Sequence, residues 1–140
     1  MPLNMWRIME NKNLIKLVLI SGSLFLTGLS LFIIFARDQA QEFYGLTSTT
    51  VTGEANFLFY PLTIYMFLIA CSVMYFKTEK LKYVEAILIM CIAFLTIRIF
   101  SSLLSGVEIS NYTLIVISAE ILLCPIVGYL WYQEKENSMI

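Results

Sequence analysis

Two stretches decide the fold: residues 84–104, VEAILIMCIAFLTIRIFSSLL, and residues 113–132, TLIVISAEILLCPIVGYLWY. Each is long and apolar enough to cross a bilayer, yet each carries a charge well inside it, Arg98 in the first and Glu120 in the second. A charged side chain in hydrocarbon costs several kcal/mol, so such residues normally pair, face a cavity or serve a function. The sequence therefore predicts a buried ion pair between two neighbouring membrane helices.

The composition is that of an integral membrane protein. Of 140 residues, 59% are hydrophobic and 14% are charged, with a mean hydropathy of +0.81. Soluble domains carry about 25% charged residues, nearly twice this fraction. A net charge of −1 gives no reason to expect a nucleic-acid partner. At this length the whole chain, 1–140, is expected to form a single membrane domain.

The residues that usually hold metals and cofactors are scarce. The chain has no histidine, which excludes three kinds of site: histidine-ligated haem, histidine-containing zinc sites and sites with a histidine general base. Cys71, Cys91 and Cys124 all fall in apolar segments without a CxxC spacing, as buried cysteines that act as small hydrophobes usually do. A lipid-facing acylation site or a metal thiolate is the alternative. No cofactor, metal site or catalytic residue is expected.

Four apolar segments predict an all-α protein, a four-transmembrane-helix antiparallel bundle. The predicted spans are 14–36, 55–76, 84–104 and 113–132. Lys and Arg residues concentrate before the first span, after the second and after the fourth, whereas only Arg37 lies on the opposite side. By the positive-inside rule, both termini are expected to be cytoplasmic.

The connection between the first two spans, residues 37–53, is the longest. Its polar residues and its Ser/Thr run are typical of a solvated loop. A short helix lying on the outer surface, with Phe43 and Tyr44 dipped into the membrane, is the alternative interpretation.

The depths of Arg98 and Glu120 predict that they meet. Arg98 lies six residues before the outer end of the third span, about 9 Å deep, and Glu120 lies seven residues into the fourth, about 10 Å deep, at about 1.5 Å per residue. A short connection makes these two helices antiparallel neighbours. A guanidinium fork suits bidentate pairing with a carboxylate at such a site.

Further polar residues are expected around the pair. Ser102 follows Arg98 by one helical turn, Tyr60 lies about 9 Å into the second span, and Glu54 stands at its outer mouth. Tyr60 is predicted to donate a hydrogen bond to Glu120. Two interpretations remain: the cluster fixes the order of the helices, or it lines an outward-facing pocket for a small polar group or relays protons.

The same residues resemble a family of bacterial four-helix membrane proteins of unknown function, distantly similar to DoxX-like proteins. The resemblance lies in Gly53-Glu54-Ala55-Asn56 followed by Tyr60, in an intramembrane Arg98 followed by small residues, and in Glu120 within the last helix. Where family members place an Arg before the aromatic residue and Gly-Gly after it, this chain has apolar residues and Pro61. The resemblance implies the same four-helix fold, a shared polar core and the bacterial inner membrane, but no established activity.

These observations favour a small accessory or structural subunit of a larger membrane assembly, with other membrane subunits or copies of itself as partners. A ligand-binding or transport protein built around Glu54, Tyr60, Arg98 and Glu120 is the alternative. An enzyme is not expected, because no nucleophile with a base and no metal-binding motif is present.

Overall fold

The chain is helical throughout the part that the structure describes. The structure is a computed structural model that describes residues 3–44, 50–105 and 111–139. Within these ranges there are no strands, and the helices in chain order are α1 (Leu3–Phe35), α2 (Arg37–Tyr44), α3 (Val51–Thr78), α4 (Lys82–Ser105) and α5 (Asn111–Met139).

Three of these helices are long and apolar enough to cross a membrane. The qualifying segments are Asn11–Phe35 in α1, Ala55–Thr78 in α3 and Lys82–Phe100 in α4. They overlap the predicted spans 14–36, 55–76 and 84–104, with ends that differ by a few residues, and they indicate an integral membrane protein. The fourth predicted span, 113–132, lies within α5, which does not qualify on the residues described.

Each long helix packs against two others. α1 contacts α3 and α5, and α4 contacts the same two helices. The pairing is antiparallel, because the beginning of α1 lies beside the end of α3, and the beginning of α4 lies beside the end of α5. Short connections between consecutive helices lead to this arrangement.

Two hydrophobic clusters form the core, one near each end of the long helices. The first joins α1, α3, α4 and α5, and its buried residues are Ile15, Leu19, Tyr75, Val84, Leu88, Val127 and Leu130. The second joins α1, α2 and α3 through Ile33, Ala40, Phe57 and Tyr65. We call the first end the lysine end, because Lys12 and Lys16 lie there, and the second the α2 end.

The prediction of a solvated loop from residue 37 was wrong for the part that forms α2. Arg37–Tyr44 is a helix whose first turn carries Asp38, a favourable position for an acidic residue. Ala40 is fully buried, and the Tyr44 and Tyr65 hydroxyls lie 3.0 Å apart. The helix is therefore anchored by packing against the ends of α1 and α3.

Local interactions define both ends of α3. The hydroxyl of Thr50, the N-cap residue, accepts a hydrogen bond from the Gly53 N–H at 3.0 Å. At the other end, Glu79 adopts a left-handed conformation with φ of 52°, and its N–H donates to the Tyr75 carbonyl. This C-cap turns the chain sharply into α4 and directs the Glu79 side chain towards α1.

Candidate functional site

Arg98 and Glu120 form an ion pair between α4 and α5. Arg98 Nη1 lies 3.0 Å from Glu120 Oε1, a hydrogen-bonding distance. The two side chains are 27% and 16% exposed, although many of the apolar residues around them face outwards. The helices thus bring together the two charges at matching depth, as the sequence predicts.

The pairing is made through one guanidinium nitrogen and one carboxylate oxygen, rather than through two parallel hydrogen bonds. Glu120 Oε2 is buried and has no hydrogen-bond partner among the described residues. A buried acceptor without a donor is costly, so a polar group, a water molecule or a proton at Oε2 is energetically favoured. Glu120 Oε2 is therefore the atom of the pair that can accept a further hydrogen bond.

Of the other predicted members of the cluster, the structure describes the side chain of Tyr60 alone, and it does not bring Tyr60 to the ion pair. Tyr60 is 61% exposed and makes an edge contact with the ring of Phe59, so the prediction that it donates to Glu120 was wrong. Its depth along α3 matches that of the pair, but its position around the helix directs it outwards. The side chains of Glu54 and Ser102 lie outside the described residues.

A second set of charges lies at the lysine end, which we call the lysine-end network: Lys12, Lys16, Glu79 and Glu134. Lys12 Nζ lies 3.4 Å from Glu79 Oε2 and 3.7 Å from Glu134 Oε1, and Lys16 pairs with Glu79 Oε1. These contacts connect the beginning of α1 to the turn after α3 and to the end of α5. Neutralisation of the lysines by the two glutamates was not predicted from the sequence.

A sequence signal for this network exists. If the first, second and fourth spans bring their charged ends to one side of the membrane, then Lys12, Glu79 and Glu134 lie at the same end of the bundle, where opposite charges can pair. Asn11 adds a neutral contact by donating to Gln133 Oε1 at 2.9 Å.

The two carboxyl groups of the lysine-end network have opposite electrostatic environments. Hydrogen bonding and charge from Lys16, then from Lys12, lower the pKa of the half-exposed Glu79. Burial raises the pKa of Glu134, which is 5% exposed, and the charge of Lys12 only partly opposes this effect. Glu134 Oε2 is buried without a hydrogen-bond partner among the described residues. Glu79 therefore stabilises the network in its charged form. Burial of Glu134, in contrast, disfavours the charged form of that carboxyl group and so destabilises the folded protein when Glu134 is ionised.

The cysteines do not form disulfides. Cys71 is buried, and Cys91 and Cys124 are partly buried, which agrees with their interpretation as small packing residues. Among the described residues, no three His, Cys, Asp or Glu side chains are grouped so that they could hold a metal ion.

Comparison with known proteins adds nothing to this description: no family model, no curated protein and no solved structure matches the chain. The resemblance to a bacterial family of four-helix membrane proteins of unknown function therefore stays a prediction based on the short motifs around Glu54, Arg98 and Glu120.

Proposed function

We propose that the chain is a small accessory or structural subunit of a larger membrane assembly, built as an antiparallel bundle of four membrane-spanning helices. In this proposal α1, α3, α4 and α5 are the four spans. Both termini lie in the cytoplasm, and the source is a bacterial inner membrane. The Arg98–Glu120 pair fixes α5 against α4.

The observation that carries the proposal is that the charges of the Arg98–Glu120 pair and of the lysine-end network face one another, while large apolar residues face outwards. Arg98 contacts Glu120 between two helices, and the lysine-end network is also intramolecular. Among the outward-facing residues, Leu24 is 69% exposed, Phe35 82% and Leu104 84%. Apolar side chains on the outer face of a helical protein suit contact with lipid or with another membrane subunit.

The topology is tested by labelling single cysteines in a chain whose three native cysteines are replaced by serine or alanine. Gln39 in α2 and Thr78 at the end of α3 are both exposed, so a cysteine at either position leaves the core intact. We expect a membrane-impermeant maleimide to label Gln39→Cys in intact cells, and to label Thr78→Cys only after the membrane is opened. The reverse pattern would overturn the proposed orientation.

The accessory role is tested by purifying the tagged native protein in a mild detergent and identifying what accompanies it. A subunit of a larger assembly is expected to elute with larger membrane proteins in fixed proportion. Elution as a monomer or as a homo-oligomer alone, at native abundance, contradicts the role while leaving the four-span architecture untouched.

A second candidate function is favoured by the unpartnered Glu120 Oε2. A buried carboxylate oxygen without a donor is suited to bind a proton or a small polar ligand beside Arg98. This function predicts that Glu120→Gln, which keeps the shape and a hydrogen-bond acceptor for Arg98 but removes the carboxyl group, abolishes proton or solute movement in proteoliposomes that contain equal amounts of folded protein. Equal movement through the wild-type and Glu120→Gln proteins contradicts it.

A further inference from the structure

A partly open cavity of about 150 Å³ lies between the four long helices. α1 contributes Gly22 and Ser23 to its wall, α3 contributes Ser72, α4 contributes Leu88, and α5 contributes Val127. It borders the core cluster of the lysine end without including any of the charged residues described above. An apolar cavity of this volume is large enough for a molecule the size of benzene.

The depth of the cavity indicates where its occupant comes from. Ser23 lies midway along the membrane segment Asn11–Phe35, at the thirteenth residue from either end. In a chain that spans a bilayer, this position lies near the hydrocarbon midplane, where water is scarce and lipid-soluble molecules are concentrated. The occupant that fits this depth is neutral and reaches the cavity from the lipid phase.

Gly22 gives the cavity its room on the α1 side. A Cβ atom built on Gly22 meets no heavy atom within 4 Å, so the wall is open at this residue. Gly28, which does not line the cavity, also has open space around it, but it faces outwards. The two glycines thus form a matched pair on one helix, one at the cavity and one away from it.

Ser23 supplies a polar group that is not yet satisfied. Hydroxyls elsewhere on α1 donate to backbone carbonyls of the preceding turn: Ser21 to Val18, Thr27 to Ser23 and Ser30 to Leu26. The Ser23 hydroxyl is buried and has no partner among the described residues. Because Ser23 lines the cavity, rotation about its Cα–Cβ bond presents the hydroxyl to an occupant as a hydrogen-bond donor.

We propose that this cavity binds a small, neutral, lipid-soluble molecule with a body about the size of a six-membered ring and one hydrogen-bond acceptor, which Ser23 recognises. The apolar walls supply most of the affinity, and the Ser23 hydroxyl selects for the acceptor, because the hydroxyls of Ser21 and Ser72 in the wall already donate to backbone carbonyls. The site is separate from the Arg98–Glu120 pair, so it stands whether or not the chain is an accessory subunit.

Cyclohexanone and methylenecyclohexane are suitable probes, because they share a ring and differ by a carbonyl oxygen in place of a CH₂ group. Binding is measured as the saturable rise of the thermal unfolding midpoint of the full-length protein in lipid nanodiscs, with probe concentrations counted in the lipid. We expect the wild-type protein to bind the ketone about two- to twelvefold more tightly, the range that one net hydrogen bond of about 0.5–1.5 kcal/mol gives.

Two pairs of variants locate the effect. Gly22→Leu fills the cavity and is expected to abolish saturable binding of both probes, whereas Gly28→Leu retains it. Ser23→Ala is expected to bind both probes equally, whereas Ser21→Ala, whose lost hydroxyl was already bonded to Val18, retains the preference for the ketone. If the Gly22→Leu protein does not fold, Leu26→Phe fills the same cavity from the next turn of α1.

No saturable binding by the wild-type protein, or equal binding by the Gly22→Leu protein, overturns the site. A preference for the ketone that survives in the Ser23→Ala protein overturns the role of the hydroxyl. Neither outcome affects the test of co-purification with larger partners, so the site and the accessory role can fail separately.

Discussion

At the scale of single residues, the charges within the helices are balanced in different ways. Arg98 and Glu120 satisfy each other through one hydrogen bond and leave Glu120 Oε2 without a donor among the described residues. In the lysine-end network, two lysines share the exposed Glu79, and the buried Glu134 is a weaker partner at 3.7 Å. Individual substitutions should therefore have effects of opposite sign, although each removes one charge.

Replacing one member of the Arg98–Glu120 pair is expected to destabilise the protein, and replacing both is expected to restore it. Arg98→Met or Glu120→Leu leaves the other charge buried without its partner, which costs about 3–5 kcal/mol, whereas exchange of both for apolar residues is nearly neutral. The measurement is the free energy of unfolding in detergent, together with abundance in the membrane.

Glu85→Leu is the control for this cycle, because it removes an exposed charge from the beginning of α4. If both single variants at Arg98 and Glu120 are as stable as the Glu85→Leu protein, the two side chains are not paired in the membrane. A stable double variant that no longer joins its native assembly shows a role beyond holding α4 and α5 together.

The two glutamates of the lysine-end network are expected to give opposite dependences of stability on pH. The pKa of Glu79 is lowered on folding, so it stabilises the protein above its unfolded-state pKa and loses this effect as the pH falls through the folded value. The pKa of Glu134 is raised on folding, so the folded protein loses stability as the pH rises through that value.

At neutral pH, Glu79→Gln is expected to lower the free energy of unfolding by at most about 1 kcal/mol, because the pair is partly exposed and screened by salt. Glu134→Gln is expected to raise the thermal unfolding midpoint at the same pH. Both differences from the wild-type protein should shrink in acid, where the carboxyl groups are protonated. A loss of stability in the Glu134→Gln protein at neutral pH contradicts the assigned environment of Glu134.

At the scale of helices, the sequence predicted positions along each helix better than positions around it. Counting residues from the end of each apolar run gave the depths of Arg98 and Glu120, since the rise per residue is fixed. The same count placed Tyr60 at a matching depth, but its direction depends on which face of α3 packs inwards. Phe57 and Tyr65 occupy that inward face. Because α3 is almost wholly apolar, its sequence has no pattern of polar and apolar residues from which the inward face could be recognised.

The sequence of α2 contains a pattern that indicates a helix, but its polar composition made the segment look like a loop. Ala40 and Tyr44 are spaced by one helical turn and both pack into the α2-end cluster, while the polar residues between them made the segment resemble a loop. A hydrophobic pattern of this kind is too short to distinguish a helix from a turn without its packing partners.

Substitution of Ala40 tests how firmly α2 is anchored. Ala40→Asp places a charge at a fully buried position, and we expect it to detach α2 and lower the thermal unfolding midpoint by several degrees. Gln39→Asp introduces the same side chain at the neighbouring exposed position and is expected to leave the midpoint within about one degree. Equal midpoints for the two variants would mean that α2 adds no stability.

At the scale of the whole molecule, different interactions hold the helices together at the two ends. Charged side chains connect α1, α3 and α5 at the lysine end, whereas apolar packing and the Tyr44–Tyr65 contact connect α1, α2 and α3 at the α2 end. Burial of Arg98 depends on α5, because α5 carries its partner Glu120. The equal depths of these two residues had already indicated this dependence in the sequence.

The ion pair between α4 and α5 also has a consequence for the insertion of these two helices into the membrane during synthesis. Synthesis produces α4 before α5, so Arg98 leaves the ribosome before its counter-charge, Glu120, does. A lone arginine enters lipid reluctantly, whereas two helices with cancelling charges enter together more readily. The insertion machinery is therefore expected to hold α4 until α5 arrives. A chain that ends at Ser105 and has been released from the ribosome should remain crosslinked to that machinery unless Arg98 is replaced by methionine.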